Sequence, residues 1–266
     1  MFGAGSGIRV IGHRGAGGVA PENTIAGIER AVRAGCHAIE IDVHASADER
    51  LVVIHDPTVD RTTGGTGGVE EKTLEELRRL DAGYRFTPDL GRSFPFRGRG
   101  VGIPTLDEAV AAARDLPLVI EVKSARAGVL LADWLRERRA GKGDAGRFIV
   151  GGFERRIVEP AAVAADWRCA TRADLVPFVL LGKLGLRGPI PEEVDAIMIP
   201  IRKGPLRLAT RGFVRRAHAR GLGVFVWTVD RPSVMRRLFD LEVDGLISNV
   251  PARVRRILAE RAAHGS

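Results

Sequence analysis

Short apolar runs alternate along the chain with longer stretches in which apolar residues recur every three or four positions. Runs at 8–12, 38–44, 51–56, 118–123, 148–152, 168–171, 196–199, 224–229 and 245–248 read as strands. The periodic stretches at 24–34, 106–114, 129–139, 213–220, 233–241 and 252–261 read as helices. Strands separated by helices imply right-handed crossovers and a parallel sheet. About eight such units in about 250 residues fit a closed (β/α)8 barrel of the TIM type, in the α/β class, better than an open doubly wound sheet. A dinucleotide-binding turn does not fit. Gly12-His13-Arg14-Gly15-Ala16-Gly17-Gly18 follows the first strand but places His and Arg where that turn requires small residues.

One segment breaks the alternation. Residues 57–102 hold a short helical stretch near 74–80 and otherwise turns and Gly-, Arg- and Phe-rich irregular sequence. The run Thr62-Thr63-Gly64-Gly65-Thr66-Gly67-Gly68 cannot be regular structure, because glycine is costly inside helices and strands. A loop this long that follows a barrel strand sits over the C-terminal face, where such barrels build active sites. We read it as a small cap, inserted after the second strand of a single barrel domain spanning residues 1–266.

Composition narrows the setting. The 266 residues are 45% hydrophobic and 28% charged, as in an ordinary globular chain. No apolar run approaches the ~18 residues of a membrane span, no secretory signal opens the chain, and Cys36 and Cys169 alone cannot form a disulfide framework. The expected location is cytoplasmic, without a stable membrane anchor. The net charge is +8, and 36 of the 41 cationic residues are arginine. They occur in scattered pairs such as Arg215-Arg216, Arg236-Arg237 and Arg255-Arg256 within helical patterns, so they read as solvated helix faces, not a nucleic-acid patch.

The chemistry lies at strand ends. In Ile39-Glu40-Ile41-Asp42-Val43 the carboxylates alternate with apolar residues, so Glu40 and Asp42 share one face. Ile120-Glu121-Val122-Lys123 repeats the device. Buried charges are tolerated when paired or metal-bound. Three converging carboxylates match an oxygen-ligand site for Mg²⁺ or Ca²⁺; salt-bridged barrel filling is the alternative. His13 follows the first strand and His55 ends Val52-Val53-Ile54, which places two imidazoles suited to proton transfer beside that acidic group. His44 continues the Glu40/Asp42 face in a structural or rim role. Pro21-Glu22-Asn23-Thr24 reads as a helix start capped by Asn23 or Thr24. Trp227 is either pocket wall or core, and Arg61 either orders the insertion or reaches toward the site.

Taken in order, Gly12-His13-Arg14-Gly15, Pro21-Glu22-Asn23-Thr24, Glu40-x-Asp42-Val43, His55-Asp56, Arg61-Thr62-Thr63, Pro104-Thr105-Leu106, Glu121-x-Lys123 and Trp227-Thr228-Val229 resemble the glycerophosphodiester phosphodiesterase family. The resemblance runs from about Ile8 to Pro251. It implies a metal-dependent (β/α)8 barrel with a small insertion after the second strand, hydrolysing glycerophosphodiesters to glycerol 3-phosphate and an alcohol. By the same resemblance Glu40, Asp42 and Glu121 are metal ligands (Mg²⁺ or Ca²⁺, with Mn²⁺ compatible), and His13 and His55 the acid and base. Arg14 and Lys123 hold the phosphate, and Phe153 and Trp227 wall the pocket. The chain departs from the family pattern in Gly152, where Ser is common, in Ala45-Ser46-Ala47-Asp48-Glu49, and in Ser248-Asn249-Val250-Pro251, where Thr-Asp-x-Pro is usual. Alternatives are a lysophospholipase D, to which Tyr84, Phe86, Phe94 and Phe96 in the insertion would be suited, and a non-catalytic phosphate- or nucleic-acid-binding module. The oligomeric state is not readable.

Overall fold

Apolar strands that cannot face water on either side are covered by the helices between them. In the computed structural model, which describes residues 2–5, 7–140, 147–186 and 188–264, the chain opens with β1 (Arg9–Gly12), α1 (Ile25–Arg33), β2 (Ala38–Ala45) and β3 (Leu51–Val53). It continues through α2 (Leu74–Arg78), α3 (Leu106–Ala113), β4 (Leu118–Val122), α4 (Ala125–Ala140), β5 (Phe148–Gly151), α5 (Arg155–Ala162), β6 (Trp167–Arg168) and α6 (Arg172–Lys183). The last part is β7 (Ala196–Pro200), β8 (Arg202–Lys203), β9 (Leu206–Arg207), α7 (Arg211–His218), β10 (Gly223–Trp227), α8 (Pro232–Phe239), β11 (Gly245–Ser248) and α9 (Pro251–His264).

Eight strands run parallel in the order β6-β5-β4-β2-β1-β11-β10-β7. A parallel bridge from Cys169 to Ala196, with Ala170 N donating to Ala196 O at 2.8 Å, joins β6 to β7 and brings the ring nearly to closure. The expected barrel is therefore present. The run at 51–56 is not one of its strands: only Leu51–Val53 is extended, and it pairs antiparallel with β2. Only five residues separate β2 from β3, too few for a parallel crossover, so the chain folds back as a hairpin. Two helices that periodicity missed, α5 and α6, carry Pro160 and Pro177 inside them, residues that argue against a helix interior. Thr24, Thr73, Thr105 and Thr210 cap their helices, and Thr73/Glu76 and Thr105/Glu108 form capping boxes.

The main core lies between the strands and the surrounding helices, and a second, smaller cluster fills the barrel. Residues 54–105 run outside the barrel as turns and α2. Their own cluster of Val52, Ile54, Val59, Val69, Leu77, Ala82 and Ile103 anchors them to β3.

Candidate active site

Ile11, Ala38, Val119, Ile149, Cys169, Ala196, Phe225 and Ile247 fill the barrel interior, one from each strand or its immediate end. Side chains two and four residues further along continue the same inward face. His13 follows Ile11, Glu40 and Asp42 follow Ala38, Glu121 and Lys123 follow Val119, Phe153 follows Ile149, Trp227 follows Phe225, and Asn249 follows Ile247. These residues thus share the inward face toward the C-terminal ends of the strands, while Arg14 follows His13 in the loop after β1 and His55 arrives from the end of the β2–β3 hairpin.

Asp42 lies in register with Glu121 on the neighbouring strand. One oxygen from each of Glu40, Asp42 and Glu121 lies within 4.8 Å of the others. Glu40 and Asp42 are buried. Burial first, then the neighbouring Asp42 and Glu121 charges, push the Glu40 carboxyl well above the usual carboxylate range. Burial also opposes charge on Asp42, but Lys123, Arg14 and His55 outweigh it and hold that carboxyl below its ordinary value. A set of carboxylate oxygens this close, short of positive charge on the Glu40 side, is the donor chemistry that hard divalent cations take. The cluster fits a divalent metal ion.

The cations stand against these carboxylates. Lys123 Nζ lies 2.8 Å from Asp42 Oδ1 and 2.5 Å from Glu121 Oε1. Arg14 donates its backbone N–H to Glu40 Oε2 at 2.8 Å, and its guanidinium lies 3.3 Å from Asp42 Oδ2 and 2.8 Å from Glu22 Oε1. The histidines differ in setting. His13 Nε2 is 4.0 Å from Glu40 Oε2 while Nδ1 meets Asn249 Oδ1 at 2.7 Å. Burial, partly offset by Asn249, lowers its pKa. His55 Nδ1 meets Asp56 Oδ1 at 2.5 Å. Asp56 also accepts from Arg61 Nε at 2.5 Å, and Arg61 donates twice to Glu22, at 2.9 and 2.6 Å. Through Glu22 the line returns to Arg14. Phe153, 53% exposed, and Trp227 form an edge-on pair with centroids 6.0 Å apart. Trp227 also packs on the barrel-filling cluster, so it serves both as core and as rim.

The glycerophosphoryl diester phosphodiesterase family model matches residues 13–253. The chain belongs to this family. A glycerophosphodiester phosphodiesterase of Caldanaerobacter subterraneus subsp. tengcongensis is 35% identical over 249 residues, 91% of this chain and 94% of that one. The glycerophosphoryl diester phosphodiesterase domain of a Mycobacterium tuberculosis protein superposes with a TM-score of 0.79 at 22% identity, covering 97% of this chain and 100% of that one. An Oleispira antarctica phosphodiesterase, solved in complex with its product sn-glycerol-3-phosphate, gives a TM-score of 0.70 at 24% identity, covering 94% and 96%.

Several groups at this candidate site were not legible beforehand. Thr24, not Asn23, caps α1 by accepting from Gly27 N. Asn23, at φ 55°, donates to Asp42 Oδ2 at 2.8 Å and accepts from Asp42 N at 3.2 Å. Glu22 is the hub between Arg14 and Arg61. The advance signal was that Pro21-Glu22-Asn23-Thr24 is one of the motifs that carry the family resemblance. Asn249 and its partner Asp230 gave no signal except the departure from Thr-Asp-x-Pro. His44 is buried, with Nε2 3.2 Å from the His55 carbonyl oxygen, which is a structural position behind the site.

Proposed function

We propose that this protein hydrolyses glycerophosphodiesters to glycerol 3-phosphate and an alcohol, using a divalent metal ion and a histidine acid–base pair. The observation that carries this reading is the Glu40/Asp42/Glu121 cluster, within 4.8 Å, flanked by Lys123, Arg14 and His13 at the C-terminal mouth of a family barrel. Glu40, Asp42 and Glu121 would hold the ion, with Mg²⁺, Ca²⁺ and Mn²⁺ all compatible with an oxygen donor set. When bound, such an ion supplies positive charge to the phosphoryl oxygens and polarises the phosphorus.

The protein's own groups do the rest. Lys123 and Arg14 present fixed positive charge to the diester's negative phosphoryl oxygens, where charge grows as phosphorus is attacked. One imidazole takes a proton from the attacking oxygen as it bonds to phosphorus; that oxygen belongs either to water, giving glycerol 3-phosphate directly, or to the neighbouring glycerol hydroxyl, giving a cyclic phosphate that water then opens to glycerol 3-phosphate. The other gives a proton to the alcohol oxygen as the ester P–O bond breaks, because an aliphatic alkoxide is a poor leaving group. Phe153 and Trp227 wall the pocket, and residues 57–102 cap it and select the alcohol. Among the described residues no helix is long and apolar enough to cross a membrane. Cys36 and Cys169 are free and buried, which suits a cytoplasmic setting.

The test is a turnover screen of glycerophosphocholine, glycerophosphoethanolamine, glycerophosphoglycerol and lysophospholipids with each of the three ions. Release of glycerol 3-phosphate from the first three supports the reading. Turnover confined to lysophospholipids would replace it with a lysophospholipase D, and no turnover of any would overturn it.

A further inference from the structure

In the loop after β1, His13 and Arg14 carry the chemistry just described, and the glycines Gly17 and Gly18 that follow shape the site around them. Gly18 N donates to the Asn249 carbonyl at 2.9 Å, and Gly17 N to the His13 carbonyl at 3.3 Å. A Cβ on Gly17 would stand 3.2 Å from Asn249 Oδ1, and one on Gly18 3.1 Å from Asn249 Cβ. Larger residues here would press Asn249 away from His13. The loop is built to let that amide reach the ring.

Asp230 decides which way the amide points. Its Oδ2 accepts from Asn249 Nδ2 at 2.7 Å, and its Oδ1 accepts from Asn249 N at 2.9 Å and Ser248 Oγ at 3.0 Å. A carboxylate only accepts, so the NH₂ half of Asn249 must face Asp230 and the carbonyl half must face His13. A carbonyl oxygen also only accepts, so the His13 nitrogen at 2.7 Å from it must carry the hydrogen. In the neutral ring this leaves Nε2, the nitrogen nearer Glu40, without one. We infer that Asn249, locked by Asp230, is a positioning residue that holds His13 in the Nδ1–H tautomer with Nε2 open toward the carboxylate cluster. The inference rests on the reading of His13 as a proton-transfer group.

The test has two parts. Imidazole ¹⁵N–¹H correlation spectra of the full-length protein, with His13 assigned by its loss in His13→Gln, are expected to show Nδ1–H for the neutral ring. Asn249→Leu, which keeps the volume and removes the acceptor, should lower kcat about 10–100-fold, the range for groups that orient an active-site ring, with little change in KM. The exchanged pair Asn249→Asp/Asp230→Asn keeps an acceptor on His13 and a donor between the two positions, so it should recover most of kcat and the Nδ1–H signal. An Nε2–H tautomer in the wild-type protein overturns the inference even if the variants fail to fold, as does undiminished kcat in a folded Asn249→Leu. Full turnover by His13→Ala would instead remove the catalytic reading, while the tautomer measurement stands by itself.

Discussion

Asp42 is fully buried and meets Lys123 at 2.8 Å, Asn23 at 2.8 Å and Arg14 at 3.3 Å. A buried carboxylate so placed costs several kcal/mol unless its partners are all present, which ties Lys123, Asn23 and Arg14 to one rigid floor. His13→Ala and His55→Ala are each expected to lower kcat by about 10²–10⁴-fold. If the two act in one step, the double variant should lose far less than the product of the single losses. Retention of about a tenth of wild-type turnover by either folded single variant would remove that histidine from the mechanism. Asp56 offers a pH test. Burial would raise its pKa, but hydrogen bonds from Arg61 and His55 hold it down at about 2 against an ordinary 3.8. A depressed carboxyl contributes stability that is present above its unfolded value and lost as pH falls through its folded one. The urea-midpoint gap between wild type and Asp56→Asn should close as pH falls from about 4 to about 2. A gap that stays constant through that acid range would refute the pairing.

Helix and loop packing sets the next level. Gly128 lies inside α4, where Ala would ordinarily stabilise by up to about 1 kcal/mol. Here a Cβ would collide with the Ile157 carbonyl oxygen of α5. Gly128→Ala is therefore expected to destabilise by about 1–3 kcal/mol through overpacking; an unchanged thermal midpoint would show that α5 can shift. Residues 54–105 hold Arg61 against Glu22 and Glu70 against Ser124, so much of this segment supports the site directly. Replacing only 84–100 by a short linker spares those contacts and the Leu77 cluster. We expect an altered ranking among glycerophosphodiesters with metal binding retained. A ranking that does not move in the folded variant would contradict the selecting role. The strands and most helices were legible in advance because period-two and period-3.6 patterns are local. The β3 hairpin was not, because an apolar run reads alike whether it pairs parallel or antiparallel, and α5 and α6 were hidden by their prolines.

For the whole molecule, metal removal is the decisive manipulation. Chelator-treated protein is expected to lose turnover and regain it with Mg²⁺, Ca²⁺ or Mn²⁺; undiminished turnover after exhaustive removal would sink the metal assignment. A glycerol hydroxyl beside the phosphoester can also act by proximity, as a ligand or as the attacking group, an advantage that can be large. A 2-deoxy analogue of glycerophosphocholine should therefore react far more slowly than the parent, and equal kcat/KM would leave water as the nucleophile. Many of the arginines behind the +8 charge stand in exposed ion pairs, such as Arg78–Glu108, Arg236–Glu260 and Arg261–Asp240. Each of these adds no more than about 1 kcal/mol.

The sequence by itself determined the strand–helix alternation, the barrel class and the sharing of one strand face by Glu40 with Asp42 and by Glu121 with Lys123. Those follow from the alternation of side chains along a few bonded residues. Only the tertiary structure decided what surrounds them. Asn249 reaches His13 across 236 residues of chain because β1 pairs with β11, and Arg61 reaches Glu22 across 39 because the β2–β3 hairpin turns the following segment back toward the turn before α1. Such contacts depend on ring closure and on which short polar side chains happen to meet there, and no local pattern along the chain encodes that meeting.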